Sequence, residues 1–204
     1  MQYANLDEYE AALAHAECLL ASNPTDGEIM DAIVLLELAV AHLVPNMPEP
    51  GCYYYITSAF DAFVEHQGVN MMMYANEYGE ARWTYESPSA LSRCWEFEPA
   101  EYEEGYYLKN AGTGMYLGYE EGLSYPLQMV GDKYETTPYV ISSLGGDAVA
   151  IASNVDERYR LHANAHGGGA GRKGTLVYWN SGAGTASAWR ICDAEAYGLQ
   201  VFSG

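Results

Sequence analysis

Cys94-Trp95-Glu96-Phe97, Pro138-Tyr139-Val140-Ile141 and Ala188-Trp189-Arg190-Ile191 share one plan, an aromatic residue with an apolar residue two positions later. Successive side chains of a strand point to opposite faces, so each aromatic lies on the same face as its apolar follower. The aromatics Trp95, Tyr139 and Trp189 are spaced 44 and 50 residues apart. Each of these closing strands is matched by an apolar opening strand further upstream: Tyr53-Tyr54-Tyr55-Ile56, Tyr106-Tyr107-Leu108 and Ala148-Val149-Ala150-Ile151. Around them Gly, Tyr and Thr are frequent, and short apolar runs alternate with turn signals, which is an all-β pattern.

Three copies of about 45 residues, each with room for four short strands, suit a closed three-fold barrel. A four-stranded propeller blade has a similar length, but three blades are too few to close. We therefore expect a mainly β chain, with a β-trefoil of three pseudo-repeats over residues 52–197 and a tail over 198–204.

The N-terminal part reads differently. Leu6, Tyr9, Leu13, Ala16 and Leu20 recur at helical spacing. Asn23-Pro24 breaks the chain, and Thr25-Asp26-Gly27-Glu28 has the form of a capping box. Ile29, Ile33, Leu36, Val40 and Leu43 continue the stripe, so residues 1–44 are expected to form an α-helical hairpin whose apolar surface needs a neighbour. Three prolines within Pro45-Asn46-Met47-Pro48-Glu49-Pro50-Gly51 make 45–51 a linker. The hairpin resembles the short Ala/Leu-rich helical modules between domains of bacterial surface proteins. Met1 directly before a helix raises the expectation of a piece of a longer protein.

Over residues 52–195 the sequence resembles the ricin-type β-trefoil lectins, and more closely a divergent ricin-like domain of surface and secreted proteins of gut Bacteroidetes. The stretches that carry this are Tyr53-Tyr54-Tyr55-Ile56-Thr57-Ser58-Ala59, Gly105-Tyr106-Tyr107-Leu108-Lys109-Asn110 and the third repeat from Tyr159 to Trp189. Where ricin-type repeats close on Gln-x-Trp, this chain has Arg93-Cys94-Trp95, Thr137-Pro138-Tyr139 and Ser187-Ala188-Trp189, so the Gln is absent from every copy. The resemblance implies an exposed aromatic about ten residues before the closing one, with an Asp and an Asn for the sugar hydroxyls. Trp179 falls at that place in the third repeat and Tyr85 in the first, with Trp83 and Tyr74 nearby, while Met129 occupies it in the second. His162 stands at the Asp position and Ala186 at the Asn position, leaving Asn164, Asn180 and Ser187 as donors and acceptors. Trp179 has two readings, a stacking platform for a sugar or a rim aromatic closing the barrel end. In the implied fold the first and last strands are neighbours, which leaves Cys52 and Cys192 open either to a disulfide or to remaining free thiols.

Other chemistries find little support. His162 and His166 have a metal-ligand spacing that converges only on a helix, and Gly167-Gly168-Gly169-Ala170-Gly171 excludes one. The same glycines lead into a strand rather than through Gly-Lys-Ser/Thr into a helix, so a phosphate loop is rejected. Neither Gly-x-Ser-x-Gly nor His-Glu-x-x-His occurs, and Glu98, Glu101, Glu103 and Glu104 read as a solvated acidic turn around Tyr102. No catalytic residues, metal or cofactor are expected. Lys and Arg number 9 against 28 Asp and Glu, a net charge of −19. That sign opposes nucleic acid and anionic membrane surfaces. The longest apolar run, Asp31 to Val44, is too short to span a bilayer. Nineteen tyrosines exceed what core packing explains, because each phenolic hydroxyl wants a partner or water. The expected function is a non-catalytic carbohydrate-binding module of a larger extracellular or cell-surface bacterial protein, with a glycan and neighbouring domains as partners. The alternative is a non-lectin trefoil acting as spacer or docking unit.

Overall fold

The computed structural model describes residues 3–4, 6–41, 44–45, 48–60, 71–84, 91–119, 127–164, 174–180 and 186–194, with backbone alone at 3–4, 41 and 44–45. The chain divides into two compact units, Met1–Met47 and Pro48–Gly204.

In the first unit, helix α1 (Leu6–Leu20) packs on helix α2 (Asp26–Ala41). A two-residue ribbon pairs β1 (Tyr3–Ala4) with β2 (Val44–Pro45), so Pro45 belongs to a strand rather than to a free linker. The capping box forms. Thr25 N–H and Oγ1–H both donate to the Glu28 carboxylate, at 2.8 and 2.7 Å. Those bonds hold the Glu28 carboxyl below its usual range. The buried stripe is rotated from the expected one. Ala32 and Ala39 are buried, with Ile29 and Leu36 half-buried beside them, whereas Leu13, Leu20, Ile33 and Val40 are exposed. The side chains turned toward the partner in α1 are Tyr9, Ala12, Ala16 and Leu19, all half-buried. Small residues let two helix backbones approach closely, so alanines rather than the larger aliphatics line the contact. No described helix is long and apolar enough to cross a membrane.

Among the described residues, the second unit has twelve strands in three sets of four: β3 (Tyr53–Ser58), β4 (Met72–Ala75), β5 (Ala81–Thr84), β6 (Cys94–Pro99); β7 (Tyr106–Asn110), β8 (Tyr116–Leu117), β9 (Met129–Val130), β10 (Tyr139–Gly145); β11 (Ala148–Ser153), β12 (Arg160–Asn164), β13 (Thr175–Trp179) and β14 (Trp189–Asp193). The first and last strands of each set pair in the cycle β3–β6–β7–β10–β11–β14 and back to β3, which closes a barrel. The middle strands of each set form hairpins, β4–β5, β8–β9 and β12–β13. The hairpins meet one another through Thr175↔Arg82, Glu80↔Gln128 and the 3.2 Å bond from Leu127 N–H to Leu176 C=O. A ring of six strands capped by three hairpins is the three-fold plan expected from the repeats.

The closing aromatics explain how each hairpin is tied to its barrel strands. Trp95, Tyr139 and Trp189 are fully buried. Each donates its single polar hydrogen to a backbone carbonyl of its own repeat: Trp95 Nε1 to Met73 O at 3.3 Å, Tyr139 OH to Gly118 O at 2.9 Å, and Trp189 Nε1 to Leu161 O at 2.8 Å. A buried N–H or O–H without such an acceptor carries a desolvation cost of about 1–3 kcal/mol. In the second repeat Tyr139 OH also meets Tyr178 OH, and burial pushes the Tyr139 phenol far up. Phe97 and Ile191 are buried as the alternation requires, but Ile141 is only half-buried because β10 runs on into an exposed turn.

β3 and β14 are neighbours as expected, yet no disulfide joins Cys52 to Cys192. The register sets Cys192 opposite Tyr55, which leaves Cys52 beyond the start of β3, and all four cysteines are free thiols.

Candidate functional site

The indole bonds place the first and third repeats in register with each other. Met73 and Leu161 each accept from their closing tryptophan, so the two residues are structural equivalents. Their cross-strand partners are Trp83 and Tyr178, both buried. One step outward, Met72 faces Thr84 and Arg160 faces Trp179. One step the other way, Tyr74 corresponds to His162 and Asn76 to Asn164. Tyr74-Ala75-Asn76 and His162-Ala163-Asn164 are therefore the same three positions, with alanine facing the core in both.

In the third repeat this register leaves Trp179 at the end of β13 with 43% of its surface exposed. The His162 ring lies beside it, 6.1 Å away between centroids and tilted by 36°. His162 Nδ1 is 2.8 Å from Ser187 Oγ, and Ser187 is itself buried. The 2.9 Å bond from Ala163 N–H to Ala186 C=O holds that segment against β12. Burial pushes the His162 pKa down, so the ring is a neutral donor and acceptor at pH 7. Asn164 lies on the same face of β12 two residues on, and its Nδ2 is buried without a partner among the described residues. Asn180 is exposed next to Trp179. The fold thus brings His162, Trp179 and Ser187 together, with Asn180 exposed beside Trp179 and the Asn164 amide nitrogen buried further along β12.

The first-repeat aromatics are placed differently. Trp83 is only 5% exposed, and its Nε1–H donates to Asn164 O at 3.2 Å. Its ring faces are covered by the core, so it offers no stacking surface. Tyr85 lies outside the described residues, as do His166 and the glycine run. Counting ten residues back from Trp95 reaches Tyr85, but the register makes Thr84 the equivalent of Trp179. Met129, at the corresponding place in the second repeat, is buried.

A groove of about 680 Å³ opens beside β4 and β5, lined by Tyr74, Asn76, Tyr78, Glu80, Arg82 and Thr113 among others. Asn76 Oδ1 accepts from the N–H groups of Tyr78 and Glu80 at 3.0 and 2.8 Å, while its Nδ2 donates to Glu80 Oε2 at 2.9 Å. Arg82 Nη1 reaches the same carboxylate oxygen at 3.0 Å. Tyr78 is 79% exposed at the turn. Of these residues only Tyr74 stands out in the sequence by its place near Tyr85, although the paired Tyr-Ala-Asn and His-Ala-Asn tripeptides are a signal that marks Asn76 as well. Among the described residues, no group of three His, Cys, Asp or Glu side chains could hold a metal ion.

No family model and no curated protein matches this sequence. Solved structures do match. A ricin B-like lectin of Macrolepiota procera, in complex with lactose, superposes with a TM-score of 0.53 at 20% identity, over 72% of this chain and 99% of that one. SeviL bound to an asialo-GM1 saccharide gives 0.52 at 14% identity, over 70% and 98%. An endo-β-galactosidase of Clostridium perfringens that releases GlcNAcα1-4Gal gives 0.54 at 15% identity, over 70% of this chain but 32% of that one. At such identities the likeness carries the fold, the β-trefoil of ricin B-like proteins.

Proposed function

We propose that the Pro48–Gly204 unit is a non-catalytic carbohydrate-binding module, with its principal site at the hairpin end of the third repeat. The observation that carries this reading is the exposed Trp179 face beside the His162–Ser187 pair. A pyranose presents an apolar C–H face bordered by hydroxyls. The electron-rich indole face suits the first, and a neutral imidazole with a fixed serine suits the second. Asn180 adds a donor and an acceptor at the edge of the patch. In the first repeat, the groove at Tyr74 and Asn76 repeats the same positions, with Tyr78 as its exposed ring and Tyr85 adjacent in sequence to Thr84. Sugar complexes of fold relatives support the ligand class.

The host is, on this reading, a larger extracellular or cell-surface bacterial protein, in keeping with the resemblance to ricin-like domains of gut Bacteroidetes. A glycan array followed by titration tests the binding. Saturable binding of at least one glycan at or below millimolar concentration is expected, and no binding to any glycan at that concentration overturns the proposal.

One observation favours the rival reading, a spacer or docking trefoil: Trp83 is packed inside, as that reading requires. The same reading requires Trp179 to be shielded as well, and its ring is exposed.

A further inference from the structure

The turn between β6 and β7 departs from a plain solvated acidic loop. Glu98 is drawn inward, accepting from Lys109 Nζ at 3.1 Å and from Tyr116 OH at 3.0 Å, with Lys133 Nζ 3.7 Å away. The turn that follows β6 forms one wall of a cavity of about 170 Å³, whose other wall is the 3₁₀ turn Lys133–Glu135. Tyr102 and Tyr134 stand at its mouth, 93% and 76% exposed, and Tyr107 lies half-buried between them and the barrel. Lys133 Nζ sits 5.8 Å from the Tyr107 ring centroid and 5.7 Å from that of Tyr134. Glu101 and Glu103 complete the lining.

Both walls are fixed. The 3.0 Å bond from Ala100 N–H to Gly105 C=O closes the first turn. Gly105 has φ +115, and a Cβ there would come within 2.5 Å of Tyr139 O, so only glycine fits. Asn154 Nδ2 donates to Glu103 Oε2 at 2.7 Å. On the second wall, Asp132 caps the 3₁₀ turn by accepting from Tyr134 N–H at 3.0 Å.

We infer that this cavity is a second carbohydrate subsite, taking one neutral pyranose ring between Tyr102 and Tyr134. The inference rests on the glycan-binding reading above but uses none of the same residues. The charges choose the ligand class. The lining carries both signs, with the Lys133 ammonium beside the Glu101 and Glu103 carboxylates, so an ion of either sign meets a like charge along with its partners. A neutral polyol meets no like charge. It finds an ammonium donor, carboxylate acceptors and exposed ring faces within one frame. The volume is below the roughly 300 Å³ at which pockets for drug-sized molecules begin, so a single ring is the largest group it admits.

The test is a titration of the full chain with neutral methyl hexopyranosides, read by NMR on ¹³C-labelled tyrosine rings and on the tryptophan indoles. Lysine amide and glucuronate serve as charged probes. Saturable shifts of Tyr102 and Tyr134 with at least one neutral pyranoside are expected. Tyr102→Ala and Tyr134→Ala each weaken that response roughly three- to tenfold, and neither side chain is exposed so little that its loss would unfold the protein. The Trp179 response is unchanged in both variants. Shifts at Trp179 with none at Tyr102 and Tyr134 overturn the second subsite and leave the principal site standing. A response at Tyr102 and Tyr134 that is stronger to lysine amide or glucuronate than to every neutral sugar overturns the neutral-sugar assignment. Absence of any saturable shift at all three rings overturns both readings together.

Discussion

The hairpins β4–β5 and β12–β13 occupy equivalent places in the first and third repeats, yet they spend their aromatic residues differently. Trp83 fills the inner position that Tyr178 fills in the third repeat, and both are buried. The next position outward holds Thr84 in one hairpin and the exposed Trp179 in the other. A shift of one residue along a strand moves a side chain from core to surface. That single step separates a tryptophan that stabilises the barrel from one that is offered to a ligand.

The largest effect that would test this contrast is on stability. Trp83→Ala should destabilise the trefoil by about 3–5 kcal/mol, the range for truncating a buried aromatic, whereas Trp179→Ala should change stability by less than about 0.5 kcal/mol. Urea denaturation of both variants measures this, and equal losses would erase the distinction. The two asparagines sharpen it further. Asn76 ties the first hairpin turn through three bonds, so Asn76→Ala should cost about 1–3 kcal/mol in the same experiment. Asn164 Nδ2 makes no such side-chain bond among the described residues, so Asn164→Ala should cost less.

A third effect is on binding. Trp179→Ala should weaken glycan binding roughly three- to tenfold while Trp83→Phe, which keeps the core filled, leaves it nearly unchanged. The smallest expected effect is on pH dependence. Burial depresses the His162 pKa in the folded protein, so the unfolded chain takes up this proton first as pH falls. The contribution is absent above the ordinary imidazole range, and stability declines as pH drops through it. Comparing urea midpoints of wild type and His162→Gln from neutral to mildly acidic pH should show a shallower decline in the variant. A steeper one would reverse the sign of the argument.

Much of the barrel was legible in the sequence because its signal is periodic. Trp95, Tyr139 and Trp189 each end a repeat, and their alternation with Phe97, Ile141 and Ile191 marks strands. Their carbonyl partners were not legible, since Met73 O, Gly118 O and Leu161 O carry no side-chain signature. The helical hairpin was legible as an element but not as a face. Close packing favoured Ala32 and Ala39 over the larger Ile33 and Val40, which apolar spacing alone ranks higher. Counting ten residues back from Trp189 singles out Trp179, while His162 and Ser187 stand out only through the resemblance; the structure sets the three side by side. In the first repeat the same count reaches Tyr85, whereas the register equivalent of Trp179 is Thr84, eleven residues before Trp95. The groove at Asn76, Glu80 and Arg82 depends on a hairpin turn that folds these residues together, a contact that linear spacing does not announce.

The most direct test uses the fact that Trp179 is the one exposed ring among the chain's four tryptophans, Trp83, Trp95 and Trp189 being buried. Acrylamide quenching of tryptophan fluorescence, measured with and without a glycan selected on an array, therefore reports chiefly on the proposed site. A quenchable component that disappears in Trp179→Phe and is protected saturably by the glycan in the wild type is expected. Glycan binding that leaves the quenching of Trp179 unaltered would contradict this expectation.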